Sequence, residues 1–270
     1  MSAIQTHARA AGRAPVPLVV PGVLAVAVLT LPLVALVVRA PWSRLPEVLL
    51  DADVRAALAL SLVTAGTATA LSLLLGVPLA WLLARTAMPG RALVRALVTV
   101  PLVLPPVVGG VALLLLLGRT GLLGRPLDLA LGVTVPFTTA AVVLAQTFVA
   151  LPFLVVSVEG ALRTLDERLE DTAATLGASR WYAFRHVTLP LVLPGLAAGA
   201  VLCFARALGE FGATITFAGS LPGTTRTTPV AVYLALETDP DQAVVLSLVL
   251  LAVSLAVLAL LRERWLGALR

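Results

Sequence analysis

Two side chains in this sequence stand out chemically, because they are charged and lie inside an apolar run. Arg206 and Glu210 are four positions apart within Leu191–Thr216. On a helix that spacing puts them on one face, one turn apart. Each charge at mid-bilayer costs roughly 2.5–3.5 kcal/mol on insertion scales, and the two can offset each other. Such a pair either clamps two helices together or lines a pathway or gate. Gly209 and Gly212 allow another helix to approach closely, and Thr214 and Thr216 continue the segment with hydroxyls. An arginine facing a cavity attracts an oxyanion, whereas Glu210 repels one unless Arg206 neutralises it. The pair by itself therefore fixes no substrate sign.

The remaining inventory excludes most enzymology. All nineteen basic residues are arginine. With no lysine there is no Walker A phosphate loop and no lysine Schiff base. One cysteine, Cys203, and two histidines, His7 and His186, are too few for a zinc site or a disulfide. Cys203 in its apolar run suits a small packing residue. Glu210 is the one acid expected inside a span, so paired carboxylates are missing too. We expect no catalytic residue, no metal and no cofactor in this chain.

The elements that must position Arg206 and Glu210 are membrane spans. The 270 residues are 60% hydrophobic and only 12% charged, with a mean hydropathy of +1.05. Soluble domains carry about a quarter charged residues. The apolar runs exceed the ~18 residues that cross a bilayer as helix, so an all-α integral membrane protein is expected. Six spans are predicted: Val16–Val38, Ala56–Leu83, Val94–Leu117, Thr138–Val158, Leu191–Thr216 and Ala243–Leu261. The first is too long for a signal-peptide core and precedes further spans. Residues 1–15 form an N-terminal tail, and 16–270 the transmembrane domain. With both termini inside, twelve arginines fall in inside segments and six outside, leaving Arg206 within a span. The positive-inside rule then favours an N-in, C-in chain with loop 159–190 cytoplasmic. The pI near 10.9 thus reports topology rather than nucleic acid. Pro101, Pro105, Pro106, Gly109, Gly110, Pro152, Pro194 and Gly195 interrupt the spans. These breaks serve helix packing or a kinked pathway.

Loop 159–190 is the polar island of the sequence. Thr164-Leu-Asp-Glu167 matches a capping box. Leu162, Leu165, Leu169, Ala173 and Leu176 then recur at three- and four-residue steps, an amphipathic helix. Gly177 suits its left-handed C-cap. Ser179 can cap a second helix, Arg180–Val187, that displays Trp181, Tyr182, Phe184 and His186, and Pro190 is expected to stop it before the next span. Aromatic and arginine anchors suit a protein groove, and they suit a lipid interface equally. On the other side, Gly219–Pro229 is the most polar stretch. Thr228-Pro229 signals a helix start with Thr228 as N-cap, and Asp239-Pro240 repeats it.

The spacing of Asp171-Thr-Ala-Ala-Thr-Leu-Gly177, nine residues, then Val187-Thr-Leu189-Pro190 resembles the EAA loop of ABC-importer permeases. Asp171 replaces Glu, Thr172 the first Ala and Val187 an Ile, while the glycine, the spacing and Leu-Pro are kept. The resemblance implies a type I importer fold. It also implies a loop that docks on a cytoplasmic ATPase through Asp171, Ala173, Ala174, Gly177, Ala178, Trp181, Leu189 and Pro190. Further segments resemble the molybdate-type permease: Phe204–Gly219, Leu221–Tyr233, Pro101–Pro106 and Leu144–Pro152, within roughly residues 50–261. Sulfate permeases share much of the first of these. By that resemblance Arg206, Glu210, Phe211 and Thr214 belong to the pathway or gate. Thr225, Arg226 and Thr227 would face a periplasmic or lipid-anchored oxyanion-binding protein, with Arg226 available to a carboxylate. Two copies of the chain would form the pore in the bacterial cytoplasmic membrane. Two ATPase subunits below would hold the ATP and Mg.

Overall fold

The computed structural model describes residues 16–166 and 168–267. His7, Arg9, Arg13 and the rest of the tail, Glu167 of the expected capping box, and Arg270 lie outside the described residues. The described residues contain helices alone. In chain order these are α1 (Val16–Val38), α2 (Leu45–Leu50), α3 (Ala52–Arg85), α4 (Arg91–Val103), α5 (Pro106–Leu117), α6 (Gly124–Leu131) and α7 (Thr139–Thr164). They continue as α8 (Arg168–Thr175), α9 (Arg180–Ala183), a π turn (Phe184–Thr188), α10 (Leu189–Leu208), α11 (Gly212–Phe217), α12 (Thr228–Thr238) and α13 (Pro240–Gly267).

Among the described residues, five stretches are long and apolar enough to cross a membrane. A sixth would be the pair α4 and α5, which is bent by 118°. The predicted third span is therefore not one straight helix. Pro105 supplies no N–H, Pro106 takes the first turn of α5, and Leu104 and Pro105 adopt extended ψ values of 130° and 131°. A residue before proline is driven out of the α region, so consecutive prolines turn the chain.

α7 forms the centre of the molecule. Ala150, Leu154, Val155, Val158 and Leu162 are buried, in one core with Ala65, Ala68 and Ala80 of α3 and Cys203, Ala207 and Leu208 of α10. Its other half packs Ala141, Val142, Ala145 and Val149 against Leu113 of α5 and Ala213 and Phe217 of α11. Small residues set the crossings, as expected where lipid supplies no hydrophobic drive between helices. A Cβ built on Gly195 would meet the Ala161 Cβ, and one on Gly199 would stand 2.9 Å from the Ser157 Cβ. At the α5–α11 contact the glycines are reciprocal. A Cβ at Gly212 would lie 3.0 Å from Pro106, and one at Gly110 would lie 2.7 Å from the Thr216 Cβ and 2.9 Å from the Ala213 backbone oxygen. Backbone cannot yield as a side chain does. Gly110→Val is thus expected to cost about 1–3 kcal/mol or more through overpacking, read as a lower melting temperature in detergent. Gly22→Val on α1, where nothing lies within 4 Å, should leave it unchanged.

Polar ties gather at the two ends of the bundle. At one end, Glu159 accepts from Arg95 (2.6 Å) and Arg163 (2.8 Å), and Arg85 meets Glu170 at 3.3 Å. At the other, Arg44 grips Asp239 at 2.8 Å and Asp241 at 3.3 Å. The Asp239 carboxyl is held below its ordinary range, chiefly by its hydrogen bond from Arg44. Asp239 also caps α13 through the Gln242 amide, as its Asp-Pro signal predicts. Ser61 bonds Thr228, and Thr139 bonds the Thr224 carbonyl. The segments assigned to one side by the arginine pattern meet one another, and so do those assigned to the opposite side.

Candidate functional site

Arg206 lies in the last turn of α10, and the helix ends at Leu208 rather than running to Thr216 as the predicted fifth span does. Gly209–Phe211 breaks the chain before α11. Glu210 therefore stands outside the helix that carries Arg206, yet the pair forms, with Arg206 Nη1 2.5 Å from Glu210 Oε2. The other carboxylate oxygen accepts from the Ala213 amide at 2.8 Å. One side chain thus caps α11 and holds the arginine, which is why a carboxylate sits in the break. Glu210 is 1% exposed and Arg206 26%, so the positive group is the one that reaches the surface of the chain. Phe211 packs against Tyr233 of α12, ring centres 4.9 Å apart. Thr214 is fully buried. The four residues expected at a gate therefore lie together around one break in a helix. Such irregular backbone at membrane depth is tolerated where it is enclosed in protein or lines a cavity.

The loop is a helix, a glycine corner and a helix, with its start and its exit differing from expectation. Thr164 is no N-cap: α7 runs through it, and its hydroxyl bonds the Ala161 carbonyl. The α8 start is instead capped by Asp166, whose carboxylate accepts from the Arg168 amide. Leu162 and Leu165 accordingly belong to the end of α7 and the bend after it, not to the α8 stripe. Gly177 has φ +85°. The Gly177 amide donates to Ala174 and the Ala178 amide to Ala173, both at 3.0 Å, the paired closure of a Schellman cap. Ser179 then caps α9 through the Tyr182 amide. Pro190 does not stop the helix. In the π turn the Leu189 amide donates to Phe184, five residues back. The wider turn relieves the proline clash, and one continuous helix runs Arg180–Leu208.

α8 buries no residue of its own. Leu169 is 44% exposed, Leu176 83% and Trp181 69%, and Asp171 and Pro190 are exposed as well. Leu189 is half-buried. Between α8, the α9–π segment and α3 lies a cavity of about 320 Å³, lined in part by Trp81, Arg85, Asp171, Ala174 and Ala178. An exposed apolar stripe with a charged rim is what a soluble protein partner can recognise. Sequence reasoning missed the tie of Arg85 to Glu170 and that of Arg95 to Glu159. Only Arg163, four residues from Glu159, carried a local signal.

At the opposite end, the expected contacts Thr225 and Thr227 are fully buried. The Thr225 hydroxyl accepts from the Leu221 amide and closes the loop. Thr227, not Thr228, occupies the N-cap position of α12, and the Thr228 amide donates to Ser61. Arg226 alone of the three is partly exposed; its Nε donates to Ser220, and it borders a cavity of about 180 Å³ with Asp51 and Asp53.

The described residues thus form a kinked, all-helical bundle with five or six candidate membrane spans, a charged break in one of them and an exposed structured loop at one end. The chain belongs to the family described as binding-protein-dependent transport system inner membrane component, whose pattern matches residues 76–269. It is 52% identical to the molybdenum transport system permease protein ModB of Mycobacterium tuberculosis, over 87% of this chain and 88% of that protein. It is 44% identical to the Escherichia coli protein of the same name, over 82% and 96%. The sulfate transport system permease protein CysT of Escherichia coli is 37% identical, over 86% and 84%. A bacterial ABC transporter involved in the import of the acidic polysaccharide alginate has a chain with the same fold, at a TM-score of 0.72 and 18% identity, covering 92% of this chain and 93% of that one. The chain is thus a multi-pass inner-membrane component with the ABC-importer permease fold.

Proposed function

We propose that this chain is the permease subunit of an ATP-driven importer that carries molybdate across the cytoplasmic membrane. The observation that carries the substrate is the identity gap: 52% to a molybdenum permease against 37% to a sulfate permease, over 87% and 86% of the chain. The termini face the cytoplasm, as the arginine distribution favours. Two copies form the pore. Two ATPase subunits dock on loops 159–190, where Asp171, Ala173, Ala174, Gly177, Ala178, Trp181, Leu189 and Pro190 form or shape the contact. A periplasmic or lipid-anchored binding protein delivers the anion to the opposite face, where Arg226 is the partly exposed candidate. Closure of the ATPase dimer pulls the loops together, and hydrolysis resets them. Each loop continues through the π turn into α10, so that the stretch Arg180–Leu208 is a helix of 29 residues, about 40 Å at 1.5 Å per residue, which ends beside the Arg206–Glu210 break.

The test is ATPase activity of the chain reconstituted in lipid with its ATPase and binding protein. Stimulation by molybdate-loaded, not sulfate-loaded, binding protein is the expected result. Stimulation by sulfate alone would overturn the substrate, and failure to associate with any ATPase would overturn the importer reading. Within this assay Asp171→Ala should lower transport per ATP by roughly five- to thirty-fold, the factor that 1–2 kcal/mol represents, with membrane insertion unchanged. Unaltered coupling would move the contact to Gly177 and its neighbours.

A further inference from the structure

We infer that Glu170 is a positioning residue, a latch that ties the coupling helix α8 to both α3 and the α10 rod; this rests on the reading of loop 159–190 as the ATPase-coupling loop. α8 has no buried residue, so apolar packing inside the chain does not fix it. Leu169, and Leu176 just beyond the helix, are exposed. Among the described residues, the α8 side chain hydrogen-bonded to other elements is that of Glu170. Glu170 Oε1 accepts from the Thr188 hydroxyl at 2.8 Å and from Arg85 Nε at 3.3 Å. Thr188 is fully buried and sits in the π turn, directly before α10. Arg85 is the last residue of α3, 6% exposed, and its Nη2 also donates to the Leu165 carbonyl in the bend that leads into α8.

A single oxygen therefore joins three elements: the loop helix, the end of α3, and the π turn through which the loop becomes α10. A charge-assisted bond of this kind is stronger than a neutral one, and its partners are shielded from solvent. A pull on α8 is passed through Glu170 to Thr188, and so to the rod that ends at Arg206. Without it, the pull is absorbed by the glycine corner at Gly177 and by the π turn. Glu170 differs in this from Asp171, which is exposed and borders the cavity beside α3.

The experiment compares Glu170→Ala, Glu170→Gln and Thr188→Val in the assembled, reconstituted transporter. Glu170→Gln keeps an acceptor for Thr188 and removes the charge beside Arg85, and Thr188→Val removes only the hydroxyl. Three quantities are read: ATPase association, molybdate imported per ATP hydrolysed, and hydrogen exchange of the 169–176 amides. The expected result is unchanged association, faster exchange by about tenfold for Glu170→Ala, and a fall in ions moved per ATP. The two milder variants should lie between it and the parent. A purely structural role would lower all activities together and leave the ratio alone. Parental coupling and exchange in Glu170→Ala would overturn the latch, and so would loss of ATPase binding, which would make Glu170 a docking contact. If Glu170→Ala does not accumulate, parental coupling in both milder variants overturns it equally. A parent complex that imports no molybdate would defeat the functional reading, while hydrogen exchange would still decide whether Glu170 holds α8.

Discussion

Replacing Arg206 by alanine is expected to abolish uptake. Glu210 is 1% exposed, and the mutation leaves its carboxylate buried with the Ala213 amide as its remaining hydrogen-bond partner among the described residues. Removing one partner of a buried pair costs about 3–5 kcal/mol, so some loss comes through stability. Arg206→Met combined with Glu210→Gln separates the two causes. That pair carries no charge, and its amide oxygen still caps α11. Exchange of a whole buried pair for neutral groups is often tolerated. The double variant is expected to accumulate at parental levels and still transport no molybdate if, on the proposed reading, the partly exposed guanidinium is the group that meets the anion. Parental uptake by the double variant would reduce Arg206 and Glu210 to a structural clamp between α10 and α11.

Gly177→Pro is expected to remove transport just as completely, through a different cause. Proline is locked near φ −65° and cannot adopt the +85° of Gly177. It also loses the amide that donates to Ala174. The corner would open and α8 would part from α9. Gly177→Asn is the control. No atom lies within 4 Å of a Cβ at this position, and asparagine tolerates the left-handed region. The asparagine variant should keep most ATPase binding and uptake, and the proline variant neither. If both retained uptake, the glycine corner would not be the docking element, and the importer reading would lose its main structural support.

The two outcomes bear on how far local sequence reaches. The Gly177 cap, the Ser179 cap and the Asp239-Pro240 start were legible because each depends on residues within four or five positions, where backbone geometry and side-chain reach fix the partner. The apolar runs were legible because a bilayer demands about 20 apolar residues whatever the neighbours are. Where partners are distant, the local signal misled. Thr164 looked like a cap, yet α7 continues through it because its packing on α3 and α10 extends to Leu162. Pro190 looked like a stop, yet a π turn carried the helix past it. Thr225 and Thr227 looked exposed, since polar loop residues usually are, but Ser61, 167 positions from Thr228, draws that loop inward.

The sequence alone thus determined that this is a helical membrane protein, which loop is structured and exposed, and that Arg206 and Glu210 share one turn's reach. Those properties follow from transfer energies and from interactions a few residues long. Only the tertiary structure decided that the third span is folded back by 118° and that Glu210 leaves the helix to cap α11. It alone placed Glu170 between Arg85 and Thr188. Each of these depends on which helices touch, and contacts between residues tens of positions apart are set by packing of the whole bundle, which no local window contains.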